Sequence, residues 1–455
     1  MNISDHPIVI IGAGVTGLTL AHQLKKKGKK CIVLEKNSRP GGVVNTRVKN
    51  GFVFESGPNS GVVSHPEVVS LFDDLGDAIK VEKGNDLVKV RYVLKKMEWR
   101  ALPGSFKQAL STPLFSWFDK FRILGEPFRK KGTDPNETLG DMVKRRLGKS
   151  FLDYAIDPFV LGIYSGDPSY LVTQYAFPKL YQLEQTYGSF IGGTIKKRKV
   201  PKTQLEKRTD RAVFSIRGGL SELTNALYKS AGEESFVFDV SDINVNSLAP
   251  NSFEVSYVKN GKTFLLSAQN VVSTVGSIGL QHLFPFVENS LMKDLTNLKH
   301  AKVMEASIGF DKWEGRALDG FGGLIPHIEK RNLLGVLFMS SLFKNRAPES
   351  GALLTIFMGG VRNEALCELS DEEVLKVVEE ELIDLMKIPK YNPSMIELKR
   401  YSQAIPQYGA ESEMRYAAIK KVQTDYPGLI IAGNLCDGIG MADRIRQATL
   451  IANTL

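Results

Sequence analysis

Three glycines, Gly12, Gly14 and Gly17, stand in a G-x-G-x-x-G spacing between the apolar run Ile8-Val9-Ile10-Ile11 and a second apolar stretch at 18–24. Residues of this type at this spacing can hold a pyrophosphate. The first glycine lets a strand turn sharply, the second admits a phosphate against bare backbone, and the third lets helix and strand pack closely. The helix that follows offers the anion unpaired N–H groups and a partial positive charge. Context matters more than the pattern, because glycine turns also arise by chance. Here a basic turn at 25–30 leads to another apolar run, Cys31-Ile32-Val33-Leu34, ending in Glu35. A carboxylate at that point meets the hydroxyls of an adenosine ribose and would repel a 2′-phosphate, which argues against NADP. These residues do not choose between NAD and FAD.

No other cluster of reactive side chains competes with this one. The six histidines show no metal-ligand spacing, and Cys31, Cys367 and Cys436 form no C-x-x-C pair, so neither a metal nor a disulfide framework is expected. A chain of 455 residues allows two or three domains, and 43% hydrophobic with 24% charged residues excludes a disordered class. No apolar run approaches the ~18 residues of a membrane span. Residues 1–6 are too short and polar for a signal peptide, which leads us to expect a cytoplasmic protein. The net charge of +9 admits nucleic acid, an anionic membrane or an acidic substrate as partner. Much of the excess sits at 196–211, with few aromatics and no nucleic-acid motif, so a solvated mobile loop is expected there and no nucleic acid.

The elements that must position the glycine turn recur along the chain. A helical pattern at 65–83 precedes short strands at 87–94. Between 104 and 131, Phe115, Trp117, Phe118, Phe121 and Phe128 are mixed with Lys120, Arg122, Arg129, Lys130 and Lys131. Two readings stand: a face lying in a membrane interface, or a helical substrate domain packing its own core. A helix is expected at 141–159, ended by Asp157-Pro158, with a glycine-punctuated turn at 159–168. Strands are expected at 236–245 and 253–266. Val271-Val272-Ser273-Thr274 runs into a turn of small residues, strands and helices alternate from 301 to 405, and Leu429-Ile430-Ile431 enters a last glycine turn before a closing helix. Three returns to strand-then-glycine imply one nucleotide domain assembled from separated segments.

Further blocks carry a resemblance. Arg39-Pro40-Gly41-Gly42 and Gly57-Pro58-Asn59-Ser60 look like the second half of an FAD-binding signature. Together with Gly162-Ile163-Tyr164-Ser165-Gly166-Asp167-Pro168, Ala176-Phe177-Pro178-Lys179-Leu180, Leu183-Glu184-Gln185-Thr186-Tyr187-Gly188-Ser189 and Phe214-Ser215-Ile216-Arg217-Gly218-Gly219, they resemble the protoporphyrinogen oxidase family. These are oxygen-dependent flavoproteins that turn a porphyrinogen into a porphyrin in haem synthesis, within the flavin amine oxidase superfamily. The likeness runs from about residue 7 to residue 454.

The resemblance implies an α/β fold with a Rossmann-like FAD-binding domain from discontinuous segments 1–85, 211–300 and 406–455. It adds a mixed α+β substrate-binding domain at 86–103 and 301–405, and a helical, membrane-associating subdomain at 104–210. It implies FAD held by Gly12, Gly14, Gly17, Glu35, Gly41, Gly42, Gly57, Val245, Thr274, Ile439, Gly440 and Met441. Candidates for the substrate pocket are Asn59 beside the flavin, Arg91 toward a propionate, and Leu324, Leu334 and Phe357 against the pyrroles. No catalytic acid or base is assigned. The implied reaction converts protoporphyrinogen IX to protoporphyrin IX by repeated hydride transfer to the flavin, with molecular oxygen as acceptor and hydrogen peroxide as by-product. Coproporphyrinogen III oxidation, an amine oxidase or desaturase activity, and a flavin- and porphyrin-binding protein without turnover are the alternatives. The resemblance allows a peripheral place on the inner face of a membrane and a homodimer. The chain departs from the pattern at Val43, where an arginine is usual, and at Ala410-Glu411, where Gly-His is usual. The sequence around Cys436 does not match that of covalent flavin attachment.

Overall fold

The computed structural model describes residues 7–88 and 90–455; residues 1–6, and Lys89 within the strand expected at 87–94, lie outside it. Four successive apolar residues suit a strand covered on both faces, and Ile8–Ile11 is the middle strand of a five-stranded parallel sheet. Its order is Phe236–Val237, Cys31–Leu34, Ile8–Ile11, Val271–Ser273, Leu429–Ile431. The period-two rule sorts the side chains: Ile8 and Ile10 pack with Leu20, Leu24 and Ala448 of the helices Val15–Lys26 and Met441–Thr454. Val9 and Ile11 face the opposite way and share a core with Phe253, Val255 and Tyr257 of the three-stranded antiparallel meander Ser241–Ala249, Ser252–Lys259, Lys262–Ala268.

A second sheet has seven strands, in the order Met395–Pro406, His300–Phe310, Ala352–Gly359, Leu333–Phe338, Gly322–Leu324, Arg91–Lys95, Glu98–Ala101. All neighbours are antiparallel except Gly322–Leu324 and Arg91–Lys95. One face is closed. Met304, Ala306, Ile308, Val336, Ile356 and Met358 bury against Val374, Val378, Leu382 and Leu385 of the helix Asp371–Met386, whose start is fixed by a Ser370–Glu373 capping box. The other face is covered at one end by the hairpin Thr46–Lys49 and Phe52–Glu55, whose Phe52 ring lies where a Cβ on Gly309 would have to sit. Toward its other end this face meets a helix of the 104–210 segment.

That segment departs from expectation. The helix expected at 141–159 is two: Leu139–Arg146 stops before Gly148, which has φ +99°, and a second run begins at Lys149. Asp157-Pro158 does not end the second run. A wide π turn, Leu152–Ile156, lies just before Pro158, where an α-helix would press the proline ring on a carbonyl four residues back. The helix then continues as Asp157–Tyr164, so the turn expected at 159–168 begins only at Ser165, in the left-handed region at φ +45°. The helix expected at 65–83 is shorter, Pro66–Leu75, and is followed by a strand at Val81–Lys83. The basic stretch at 196–211 is not a free loop. Lys196, Lys197 and Arg198 form the last turn of the helix Phe190–Arg198, where cations suit the helix dipole, and Arg208 forms a two-point ion pair with Asp73.

The segment is pinned by a buried ion network. Arg146, fully buried, donates to Glu126 at 2.6 Å, to Glu184 at 2.6 Å and to the Gly188 carbonyl at 2.8 Å. Glu126 also accepts from the Ser189 hydroxyl and the N–H groups of Phe190 and Ile191, the start of another helix. Replacing Arg146 by Met leaves Glu126 buried without its counter-charge. The expected cost is about 3–5 kcal/mol of unfolding free energy, measured by chemical denaturation.

Candidate functional site

The nucleotide end is built by close backbone approach. A Cβ on Gly17 would lie 1.9 Å from the Gly12 carbonyl oxygen, so this position packs helix on turn. A Cβ on Gly14 would meet nothing within 4 Å, which leaves open space in front of the backbone. Gly14 is also the N-cap of Val15–Lys26 and supplies no side-chain cap, so the first N–H groups of that helix face that space. Glu35 is buried at the end of its strand and accepts from the Ala13 N–H at 2.7 Å and from Asn37. The Thr274 hydroxyl donates to the carbonyls of Ile11 and Gly12 and braces the turn from the neighbouring strand.

The paired glycines close on the same turn. Gly41 N–H donates to the Ala13 carbonyl, and a Cβ on Gly42 would stand 3.1 Å from Gly14 Cα. Arg39 clamps this loop through the carbonyls of Pro40, Gly42 and Val44, while Val43 is 69% exposed. Gly57, at φ +125°, passes so near Val43 that a Cβ would lie 2.2 Å from its carbonyl oxygen. The closing turn Ile439-Gly440-Met441 caps the helix Met441–Thr454. Asp443 accepts from Gly440 N–H and bonds His65 at 3.0 Å, tying the turn to the segment after Asn59. A glycine cradle, a bare helix N-terminus and a buried carboxylate at the strand end suit the pyrophosphate and ribose of an FAD.

Val245 does not join this group. It pairs with Val255 in the meander, its N–H donates to the Leu283 carbonyl, and its side chain is fully buried in the core. The valine held beside Glu35 is Val240, whose N–H donates to the Glu35 carbonyl. The strand expected at 236–245 is two, Phe236–Val237 and Ser241–Ala249, and Val240 lies between them. Cys436 is buried, and burial first, then the neighbouring Asp437, pushes its thiol up to about 12, so it stays protonated and unreactive.

The expected pocket residues fall on one face of the seven-stranded sheet. Glu305, Phe357, Gly335, Leu324 and Val93 stand directly opposite one another across five strands. Two residues along, on the same face, the row is Ser307, Thr355, Leu337, Gly322 and Arg91. Leu324, Phe357 and Arg91 therefore share the face that the helix Asp371–Met386 leaves uncovered. Arg91 is exposed, with its guanidinium 5.2 Å from the Phe321 ring centre. Leu334 is the extra residue of a bulge between Leu333, in the closed core, and Gly335, in the open row. Opposite Leu324 stands Gly162, where a Cβ would lie 2.7 Å from a Leu324 methyl. Phe159 and Ile163 flank Gly162 on the same side of the helix and are 42% and 41% exposed. Both were missed by the sequence reading, because a turn expected at 159–168 hides helical spacing.

Asn59 joins the sheet face to the Gly57 turn. Its amide donates to Glu305 at 2.6 Å and to the Gly57 carbonyl at 3.1 Å, and its oxygen accepts from Thr355 at 3.0 Å. Glu305 also accepts from Gly57 N–H at 3.0 Å and from the Tyr401 hydroxyl at 3.3 Å. Burial pushes the Glu305 carboxyl up to about 7, against the pull of those three donors. This acid was also missed, although a lone glutamate inside Val303-Met304-Glu305-Ala306-Ser307-Ile308 is a visible signal. Among the described residues no group of three or more His, Cys, Asp or Glu can hold a metal ion.

Known proteins place this geometry. The model of flavin containing amine oxidoreductases matches residues 15–453. Protoporphyrinogen oxidase 2 of Arabidopsis thaliana, chloroplastic/mitochondrial, is 30% identical over 484 residues, covering 99% of this chain and 94% of that protein. Coproporphyrinogen III oxidase of Bacillus subtilis (strain 168) is 27% identical over 461 residues, covering 97% of this chain and 96% of that protein. A crystal structure of a protein from Exiguobacterium sp. 255-15 superposes with a TM-score of 0.80 at 20% identity, covering 100% of this chain and 99% of the other, and shares the fold. The chain belongs to the flavin containing amine oxidoreductases, and within them to the protoporphyrinogen oxidase family, as an FAD-dependent oxidoreductase.

Proposed function

We propose that this protein oxidises protoporphyrinogen IX to protoporphyrin IX in haem biosynthesis, with molecular oxygen as acceptor and hydrogen peroxide as by-product. The observation that carries the reading is the pair of cross-strand rows that set Leu324, Phe357 and Arg91 on the sheet face turned away from the helix Asp371–Met386, with Asn59 linking that face to the Gly57 turn. A porphyrinogen is a broad, mostly apolar ring with anionic propionates. It needs an apolar slot and a cation at the rim, and the face together with Phe159 and Ile163 offers both.

FAD, when bound, supplies the two-electron acceptor for a hydride leaving a bridge carbon. The chain's residues bind and orient. Gly12 and Gly14 would admit the pyrophosphate to the first turn of Val15–Lys26, which Gly17 packs on the turn, and Glu35 would meet the ribose. Val240 takes the place first given to Val245. Gly41, Gly42, Gly57, Thr274 and the turn Ile439-Gly440-Met441 shape the rest of the cradle. Asn59 fixes the flavin-facing loop, Arg91 takes a propionate, and Leu324, Leu334 and Phe357 keep the ring dry and near the acceptor. We divide the chain accordingly into an FAD-binding part at 1–85, 211–300 and 406–455, a substrate-binding part at 86–103 and 301–405, and a helical part at 104–210.

The helical part also carries a peripheral membrane contact. Trp117, Phe118, Phe121 and Phe128 are 64%, 76%, 69% and 91% exposed, beside Lys120, Arg129, Lys130 and Lys131. That mixture suits an interface with anionic lipid. Among the described residues no helix is long and apolar enough to cross a membrane.

Three measurements test the reading. Anaerobic mixing with protoporphyrinogen and with coproporphyrinogen, side by side, should bleach the flavin faster with the first, and air should then restore it with formation of peroxide. Faster bleaching by coproporphyrinogen moves the substrate, and an FAD-loaded protein giving no porphyrin fluorescence above autoxidation overturns the assignment. Gly14→Val should keep the circular dichroism of the fold and lose FAD. Gly17→Val should lose both, since its side chain meets the Gly12 carbonyl instead of open space. Replacing Phe118 and Phe121 by Glu should cut co-sedimentation with anionic vesicles about tenfold or more while leaving flavin content unchanged.

A further inference from the structure

Glu305 is the acid that the hydride reaction leaves without a task. It is 2% exposed, yet it sits in the row of Phe357 and Leu324 and bonds directly to both arms of the Gly57–Asn59 turn. Its Oε1 accepts from Asn59, and its Oε2 accepts from Gly57 N–H and Tyr401. Tyr401 is half-buried on the edge strand Met395–Pro406 and leads from the carboxyl to the sheet edge. A hydroxyl both donates and accepts, so this partner satisfies Glu305 in either state: Tyr401 donates to the carboxylate, or accepts from the acid.

The charges around it are few. From the Phe52–Glu55 strand comes Glu55, whose own carboxylate is held by Arg346, Thr46 and the Leu220 N–H. From the edge strand comes Lys399, opposite Glu305 in register but with an exposed side chain. Thr355 and Phe357 face it from the strand Ala352–Gly359 and carry no charge. Val43, whose backbone packs on Gly57, brings no charge, and the Arg39 guanidinium of the same loop is bonded to the carbonyls of Pro40, Gly42 and Val44.

We propose that Glu305 is a redox-linked proton holder: it takes one proton from solvent through the Tyr401 hydroxyl when the adjacent site gains a hydride, and releases it when oxygen removes the electron pair. The proposal rests on the reading that Gly57 and Asn59 lie beside the flavin. The balance closes. A bridge C–H bond breaks and its hydride goes to FAD, adding one negative charge to the site, while a pyrrole N–H proton leaves for water. The Glu305 carboxylate gains an O–H bond with a proton from water, so the charge of the site does not accumulate. Oxygen then takes the hydride equivalent and one proton to become hydrogen peroxide, and Glu305 returns its proton. A second negative charge beside a buried carboxylate raises its proton affinity further, so uptake follows reduction without any movement of the backbone. Glu305 thus holds a proton beside the site and does not touch the porphyrinogen.

Its pH range follows from burial. The carboxyl lies near 7 in the fold against an ordinary 4.5, so the oxidised site is neutral at Glu305 in mild acid and ionised in mild base. Proton uptake on reduction should therefore be largest above about pH 7 and vanish well below it. A raised acid is bound by the fold and released on unfolding. Its contribution to stability is present in acid and lost as pH rises through that window. Relative to Glu305→Gln, the wild-type apoprotein should lose stability between about pH 4.5 and 7, a readout that needs no flavin.

The deciding experiment is anaerobic photoreduction of the holoenzyme in weak buffer at about pH 8, with a pH indicator and infrared detection. Wild type should take up nearly one proton per flavin more than Glu305→Gln, and should gain a protonated-carboxyl band that the variant lacks. Tyr401→Phe should keep the uptake but slow its arrival. Equal uptake in wild type and Glu305→Gln, or no carboxyl band in wild type alone, overturns the proposal even if the variant folds poorly. Photoreduction uses no porphyrinogen. A protein that shows the uptake but oxidises neither porphyrinogen refutes the proposed substrate and keeps Glu305 in its role, and one without bound flavin refutes both.

Discussion

A seven-stranded sheet has two faces to cover, and the amphipathic helix Asp371–Met386 covers only one of them. The second face is met at its ends, by the hairpin around Phe52 and by Gly162 of the helix Asp157–Tyr164, and carries Leu324, Phe357 and Arg91 between. An apolar face of that kind must find a partner. The porphyrinogen proposed above, a broad and mostly apolar ring, would be such a partner, oriented by what stands at the rim. A ligand on this face would also cover Phe159 and Ile163, which are 42% and 41% exposed.

Joining that face to the nucleotide sheet takes buried polar groups, and each is satisfied. Asn59 donates both to Glu305 and to the Gly57 carbonyl and accepts from Thr355, so one amide locks the loop to two strands. Leaving any of these groups unpaired would cost about 1–3 kcal/mol, which makes the loop's position nearly obligatory. Rigid placement matters because hydride transfer tolerates little misplacement of donor and acceptor. The helix Asp157–Tyr164 is tied in the same manner: Asp157 bonds Arg362 and the His327 N–H, and the Val361 N–H bonds the Ser165 carbonyl.

What the sequence disclosed was local. The strand–glycine–helix entrance, the carboxylate at 35 and the helix Asp371–Met386 are written in consecutive residues, where periodicity and turn chemistry are strong. The family blocks carried the porphyrinogen, but no spacing rule could show that residues 91, 324 and 357 share a face, since register across five strands is set by pairing partners far apart in the chain. Pro158 misled for a definite reason. Proline ordinarily ends a helix, and only a wide turn before it let this one continue, which moved Phe159 and Ile163 from a supposed turn onto a helix. What reads as one strand at 236–245 is divided by Asp239, at φ +57°, a backbone turn that no hydrophobic pattern shows. Glu305 was visible as a charge in an apolar strand, but its three donors come from residues 57, 59 and 401.

Val43 and Glu305 lie on either side of the Gly57 turn. An arginine at 43 would put a cation on the loop that packs on Gly57, the same turn whose N–H binds Glu305. Valine brings no such cation, and Arg39 holds the loop by bonding the carbonyls of Pro40, Gly42 and Val44. The loop keeps its shape while its electrostatics change. With no counter-charge at hand, a buried carboxylate relies on three hydrogen bonds alone, too few to hold it in the ordinary carboxylate range against desolvation. Its range near neutral pH thus follows from its own surroundings, burial against the three donors Asn59, Gly57 and Tyr401 with Glu55 near by.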